Sequence, residues 1–205
     1  MFQIRIHGRG GQGVVTAAEV LSMAAFDGGR HAQAFPSFGS ERMGAPVVAF
    51  CRIDERPIRT REPVMEPDAL IIQDITLVHQ VDLLAGLAPE AYVLLNTSQP
   101  LDVLGLGDLS RRFRPDRLCT CPATDLALAQ TGRPMPNAAL VAGFAALTGQ
   151  ISLAAVEQAL RQRFSGPTGE GNVAVADAAY RHVTRTLAPG PGTRPVPTQA
   201  HAATA

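Results

Sequence analysis

Gly8, Gly10 and Gly13 carry the G-x-G-x-x-G spacing of a nucleotide-binding turn. They follow the alternating stretch Phe2-Gln3-Ile4-Arg5-Ile6-His7 and precede a helical pattern that opens at Val14. In that context glycine lets the backbone approach a phosphate, and the first N–H groups of the helix point at it. Arg9 adds a guanidinium that suits an anion. The same spacing also serves a tight strand-to-helix turn that needs small residues. A second candidate block is Phe35-Pro36-Ser37-Phe38-Gly39-Ser40-Glu41-Arg42-Met43-Gly44-Ala45-Pro46. Ser37 and Ser40 offer hydroxyls, Arg42 a cation, and Phe35 and Phe38 flat faces for a base; an ordered Ω-like loop with packed phenylalanines reads equally well. Asn96-Thr97-Ser98 follows an apolar strand and should reach the same carboxyl-end crevice, or serve only as a turn.

The absences narrow the chemistry. An NAD site places Asp or Glu at the end of the second strand. Here that strand is His31-Ala32-Gln33-Ala34-Phe35, without an acid, and Arg30 before it suits a ribose carrying a phosphate, as in NADP or coenzyme A, or is simply solvated. All 18 basic residues are arginine, which excludes a Schiff-base lysine and a P-loop lysine. Cys51, Cys119 and Cys121 are too few for a four-thiolate iron–sulfur cluster and read as structural thiols in a reducing cytoplasm. No Ser/His/Asp elbow and no H-E-x-x-H appears, and His7, His31 and His79 share no ligand spacing. Asp68, Asp74 and Asp82 read as strand-edge and cap residues, and Glu170 lies in an expected loop and helix entry. The residues thus predict a binding crevice with its reaction centre elsewhere.

A chain of 205 residues with 46% hydrophobic and 18% charged content fits one globular domain. A net charge of +0 argues against a dedicated nucleic-acid binder. The longest apolar run, Asn137 to Leu147, is interrupted by Gly143 and too short to span a bilayer, and the N-terminus enters a strand pattern without a signal peptide. Strands are expected at 2–7, 31–35, 47–53, 68–74, 92–95 and 116–120, with 58–60 pairing against 47–53 as a hairpin. Helices are expected at 14–26, 76–87, 123–130, 137–147, 153–164 and 173–187, with Asn137 as an N-cap and a short element near Leu109. Alternation followed by helices alone predicts an α/β fold: a Rossmann-like, mostly parallel sheet flanked by helices, with a helical C-terminal part. The domain is expected over 1–187, and the Pro/Gly/Ala-rich 188–205 as a flexible tail.

The stretch Ile4-Arg5-Ile6-His7-Gly8-Arg9-Gly10-Gly11-Gln12-Gly13-Val14-Val15-Thr16-Ala17-Ala18 resembles the start of the gamma subunit of pyruvate:ferredoxin oxidoreductase and related 2-oxoacid:acceptor oxidoreductases. Residues 32–46, Ile58-Arg59, Glu66-Pro67-Asp68, Ile72-Gln73-Asp74, Leu95-Asn96-Thr97 and residues 136–144 agree with that family. The resemblance implies thiamine diphosphate, Mg and iron–sulfur clusters on alpha, beta and delta-type partner subunits, and a gamma domain that helps bind coenzyme A. It implies ferredoxin or an NAD-linked flavin subunit as acceptor, a cytoplasmic setting, and no nucleic-acid or membrane partner. By motif, Gly10, Gly11, Gln12 and Gly13 form the phosphate loop; Ser37, Arg42, Gly44, Asn96 and Thr97 are further cofactor-binding candidates, with no catalytic or metal residue. Related complexes act on pyruvate, 2-oxoglutarate, branched-chain oxoacids, indolepyruvate or phenylglyoxylate, and the choice is made outside this chain. A scaffold subunit without ligand dependence, and a stand-alone NAD(P)-binding oxidoreductase, are the other readings.

Overall fold

A computed structural model describes residues 1–37 and 43–188. Six strands, β1 (Phe2–Arg9), β2 (His31–Pro36), β3 (Pro46–Asp54), β4 (Ala69–Ile72), β5 (Tyr92–Asn96) and β6 (Leu118–Cys121), form one sheet in the order β2-β3-β1-β4-β5-β6. β1, β4, β5 and β6 run parallel, while β3 is antiparallel to both β1 and β2. The helices are α1 (Val14–Asp27), α2 (Gly107–Arg112), α3 (Ala123–Thr131), α4 (Asn137–Thr148), α5 (Leu153–Arg163) and α6 (Gly166–Leu187). This is the expected α/β architecture. Phe38, Ser40 and Arg42, and the tail from residue 189, lie outside the described residues.

The period-2 pattern of β1 sorts its side chains between two cores. Ile4 and Ile6 are fully buried in the larger cluster, with Leu21 of α1, Phe144 of α4, Leu160 of α5 and Val183 of α6. The opposite face of the sheet buries Leu70, Ile72, Val93 and Leu95 against Leu77, Leu83, Leu87, Leu109 and Phe113. That second layer is mostly irregular backbone. The helix expected at 76–87 is instead a 3₁₀ turn at Ile75–His79 followed by turns. Near the end of that stretch Gly86 has φ +72°, outside the helical region, and a Cβ there would overlap the Met65 carbonyl. Arg5, projecting from β1, holds this layer down by donating to the carbonyls of Met65 (3.4 Å), Leu83 (2.9 Å) and Ala85 (2.6 Å).

Two further expectations are corrected. Residues 58–60 do not pair with β3, whose two edges are already taken by β1 and β2. α6 begins at Gly166, so Glu170 is helical and pairs with Arg161 at 2.9 Å rather than sitting in a loop.

The chain leaves β1 towards β2 on one side of the sheet and returns to β4 on the other. The strand order therefore reverses between β1 and β4, and the crevice outside their carboxyl ends is where open α/β sheets bind ligands.

Candidate functional site

The loop joining β1 to α1 sits at that reversal. Gly11 has φ +93° and Gly13 φ +74°, a backbone region that side-chain-bearing residues rarely adopt. Gly13 is the N-cap of α1, where no side chain caps the helix and no acid occupies the first turn. The first in-helix bond runs from Ala17 N to Gly13 O at 2.9 Å, so the N–H groups of Val14, Val15 and Thr16 have no partner among the described residues and can meet an anion.

Around this open helix end the loop is braced from three directions. Gly10 N donates to Ala45 O at 2.9 Å and Gly44 N to Gly10 O at 3.0 Å, which locks the loop against the end of the second sequence block. Gly44 thus belongs to the site as a backbone brace, with φ +80°. Gln12 closes the loop on itself: its Oε1 accepts from Arg9 N at 2.8 Å, and its Nε2 donates to Asp74 Oδ2 at 2.8 Å. Arg9 is turned into the chain. Its guanidinium donates to Asp74 Oδ2 (3.1 Å), Gly44 O (3.0 Å) and Thr76 Oγ1 (2.8 Å).

Asp74 is the hub of this network. It also caps the 3₁₀ turn, accepting from Thr76 N at 3.0 Å. Burial pushes its carboxyl up, but the hydrogen bonds from Thr76 and Gln12 and the Arg9 charge outweigh that and hold it below the usual range. Its contribution to stability is therefore complete above the ordinary carboxylate range and is lost as pH falls through the depressed value. Asp74→Asn removes the charge and presents a donor to donors. We expect a loss of about 2 kcal/mol in urea unfolding at pH 7. An unchanged midpoint would show that the network carries no weight.

A cleft of about 330 Å³ lies over the ends of β4, β5 and β6 and is lined by Gln12, Gln73, Asp74, Asn96, Thr97 and Thr124, among others. Asn96 and Thr97 reach it as the sequence indicates, but their polar atoms are spent on the fold. Asn96 Nδ2 donates to Gln73 O (2.8 Å) and Thr124 Oγ1 (2.7 Å), and its Oδ1 accepts from Thr124 N. Thr97 Oγ1 accepts from Gln99 N at 2.9 Å, the turn role. Ser37 extends the β2–β3 pairing through its N–H to Val48 O at 2.8 Å and is separated from the Gly loop by β3. Arg30 is a structural anchor, bonded to Gln150 O at 3.1 Å and paired with Glu55 at 3.0 Å.

Three residues gain weight that their sequence context alone did not give. Asp74 is the brace just described. Gln73 is 1% exposed and both its amide atoms lack a partner among the described residues. Such unmet groups are rare in native interiors. Asn137 is the first residue of α4, with Pro136 as N-cap; its Oδ1 accepts from Ala138 N at 3.0 Å. Burial holds the thiols protonated, with Cys51 and Cys121 pushed up to about 12 and Cys119 to about 11. Among the described residues no group of three or more His, Cys, Asp or Glu side chains converges on a metal position.

The family model described as pyruvate ferredoxin/flavodoxin oxidoreductase matches residues 3–182. The chain belongs to this family. It is 44% identical over 180 residues to the pyruvate/ketoisovalerate oxidoreductases common subunit gamma of Pyrococcus abyssi, covering 88% of this chain and 96% of that one. It is 43% identical over 185 residues to the pyruvate synthase subunit PorC of Methanothermobacter thermautotrophicus, covering 90% and 97%. The crystal structure of pyruvate oxidoreductase subunit PORC from Thermotoga maritima superposes with a TM-score of 0.73 at 31% identity, over 88% of this chain and 95% of that one. The chain thus corresponds along nearly its whole described length to the gamma component of the family. The fold also recurs in 2-oxoglutarate:ferredoxin oxidoreductase from Magnetococcus marinus, with a TM-score of 0.68 at 15% identity, over 91% of this chain and 31% of that one.

Proposed function

We propose that this gamma subunit holds the nucleotide end of coenzyme A for a complex that converts a 2-oxoacid, coenzyme A and an oxidised acceptor into acyl-CoA, carbon dioxide and reduced acceptor. The observation that carries this reading is the uncapped, acid-free start of α1 behind two positive-φ glycines, at the point where the strand order reverses. Such an arrangement suits the pyrophosphate of a nucleotide.

The subunit's contribution is orientation of the thiol-bearing substrate rather than proton transfer. Its own residues do not fit a metal or cluster: the three thiols are buried and protonated, and no donor set converges among the described residues. On this reading thiamine diphosphate, Mg and the iron–sulfur clusters belong to alpha, beta and delta-type partners. Ferredoxin, or an NAD-linked flavin subunit, takes the electrons, and the whole is cytoplasmic. The oxoacid, whether pyruvate, a branched-chain acid or phenylglyoxylate, is selected on those partners.

One observation favours a scaffold role instead: the polar groups of Gln12, Asn96 and Thr97 are all spent within the chain. The test is purification of the complex through a tag on this chain, with assays of several 2-oxoacids with and without coenzyme A. Recovery of thiamine-binding and iron–sulfur partners with coenzyme A-dependent turnover supports the reading. An isolated chain that binds NAD(P) and brings no partner overturns it.

A further inference from the structure

The connection from β3 to β4 contains a stretch with the pattern of a strand and no strand beside it. Pro57-Ile58-Arg59-Thr60-Arg61 runs without a turn or bend. Ile58 and Thr60 are half-buried, while Arg59 and Arg61 are exposed, which is the period of a strand with one face down. No backbone N–H or C=O of these residues has a hydrogen-bond partner among the described residues. We propose that a strand of a partner subunit pairs with this stretch in the assembled complex, with carboxylates set opposite Arg59 and Arg61. This rests on the place of the chain as a gamma component, not on the coenzyme A reading.

The stretch belongs to a half of the sheet that the second layer leaves uncovered. α1, α4, α5 and α6 pack on one face. On the other, the irregular layer covers Leu70, Ile72, Val93 and Leu95 of β4 and β5, and no residue of β2 or β3 belongs to that cluster. The β3–β4 connection crosses this side and is pinned there from residue 62 onward. Arg52 of β3, beside Gln3 of β1, donates through Nη2 to Glu62 O. Arg5 donates to Val64 O at 3.5 Å and Met65 O at 3.4 Å. A straight stretch with unpaired backbone groups, anchored at its end, is a template for an added strand.

The charges select the partner. Arg59 and Arg61 have no ion pair among the described residues, and the acids just before them are taken: Asp54 by the N-terminus at 3.2 Å and Glu55 by Arg30 at 3.0 Å. Glu62 and Glu66 follow, past the straight run. Arg52, at 2% exposure, has no carboxylate partner either and leaves Nη1 unmet among the described residues. Side chains two apart on paired strands share a face, so acids at alternate positions of the incoming strand meet both outward arginines. A second copy of this chain would set arginine against arginine, which disfavours self-pairing.

The chain has no lysine, so Arg59→Lys places a single side-chain amine in it without changing its charge. The complex purified through a tag on that variant is treated with a water-soluble carbodiimide, which joins an amine to a carboxylate in ion-pair contact. Mass spectrometry should find position 59 joined to an Asp or Glu of a partner subunit. In the wild-type complex, alternate amides within 58–61 should exchange with deuterium about a hundredfold or more slowly than in the chain alone. Arg59→Glu combined with Arg61→Glu should cut recovery of partner subunits about tenfold or more, with the melting of the chain unchanged. An adduct confined to this chain or to a second copy, or no adduct, overturns the proposal. So do amides that exchange equally fast in both states, a double variant that keeps its partners, or a chain recovered alone.

Discussion

Gly11→Asp in the assembled complex raises the KM for coenzyme A by about a hundredfold or more, because it sets a carboxylate against the phosphate at close range. The backbone at Gly11 has φ +93°, and a Cβ there would stand 2.6 Å from Met43 Sδ. Met43 is 87% exposed, so its thioether can swing away, and the steric part of the substitution is small. Gly11→Ala isolates that part together with the backbone strain. It should cost about 1 kcal/mol and raise the KM less than tenfold. The aspartate effect beyond it is electrostatic and should shrink as salt is raised. Turnover at saturating coenzyme A changes little in both variants, because the substitution removes binding shared by ground and transition states. An aspartate variant that assembles, melts with the wild type and keeps its KM would show that coenzyme A is held elsewhere. The chain would then be the scaffold that its internally bonded Gln12 and Asn96 also permit.

What could be foreseen from the residues, and what could not, divides along a physical line. The β1–Gly loop–α1 unit was legible because three local signals agree there: alternation to residue 7, glycines where positive φ is needed, and helical spacing from Val14. Likewise, the apolar runs that became β4 and β5 declare themselves by burial on both faces. The layer opposite the helices was not legible. Leu77, Leu83 and Leu87 have spacing that a helix could use, yet their burial is set by the sheet above them and by the carbonyls that Arg5 gathers. No local rule encodes a layer organised by one guanidinium from another element. The site divides in the same way. Glycine spacing found the loop, but the roles of Asp74 and Asn137 depend on which strand ends meet, and that is topology. Asn96 shows the converse: a residue placed correctly at the crevice, whose three hydrogen bonds tie β4, β5 and α3 together.

Acidification from pH 7.5 to 5 removes about 2 kcal/mol of folding stability through one residue, His7. It sits on β1 immediately before the Gly loop, is 7% exposed, and its Nε2 has no partner among the described residues. Burial pushes its pKa down from 6.5 to about 4, and the neighbouring Arg5 charge adds to the shift. The folded chain therefore keeps His7 neutral where the unfolded chain protonates it. Stability is complete above pH 6.5 and declines as pH falls towards 4, reaching about 3 kcal/mol of loss at the lower end. His7→Gln fills the site with a group that does not titrate. Urea unfolding at both pH values should show most of the difference vanish in that variant. A difference that persists would assign the acid sensitivity to other groups, with Asp74 entering only below the ordinary carboxylate range. The position gives the effect a functional edge. The His7 carbonyl accepts from Gln73 N at 2.7 Å, so the same residue fixes the start of the Gly loop and the corner that carries Asp74. Loosening β1 at His7 slackens both sides of the crevice at once. Coenzyme A affinity should therefore fall with pH before the rest of the domain unfolds, and less so in His7→Gln.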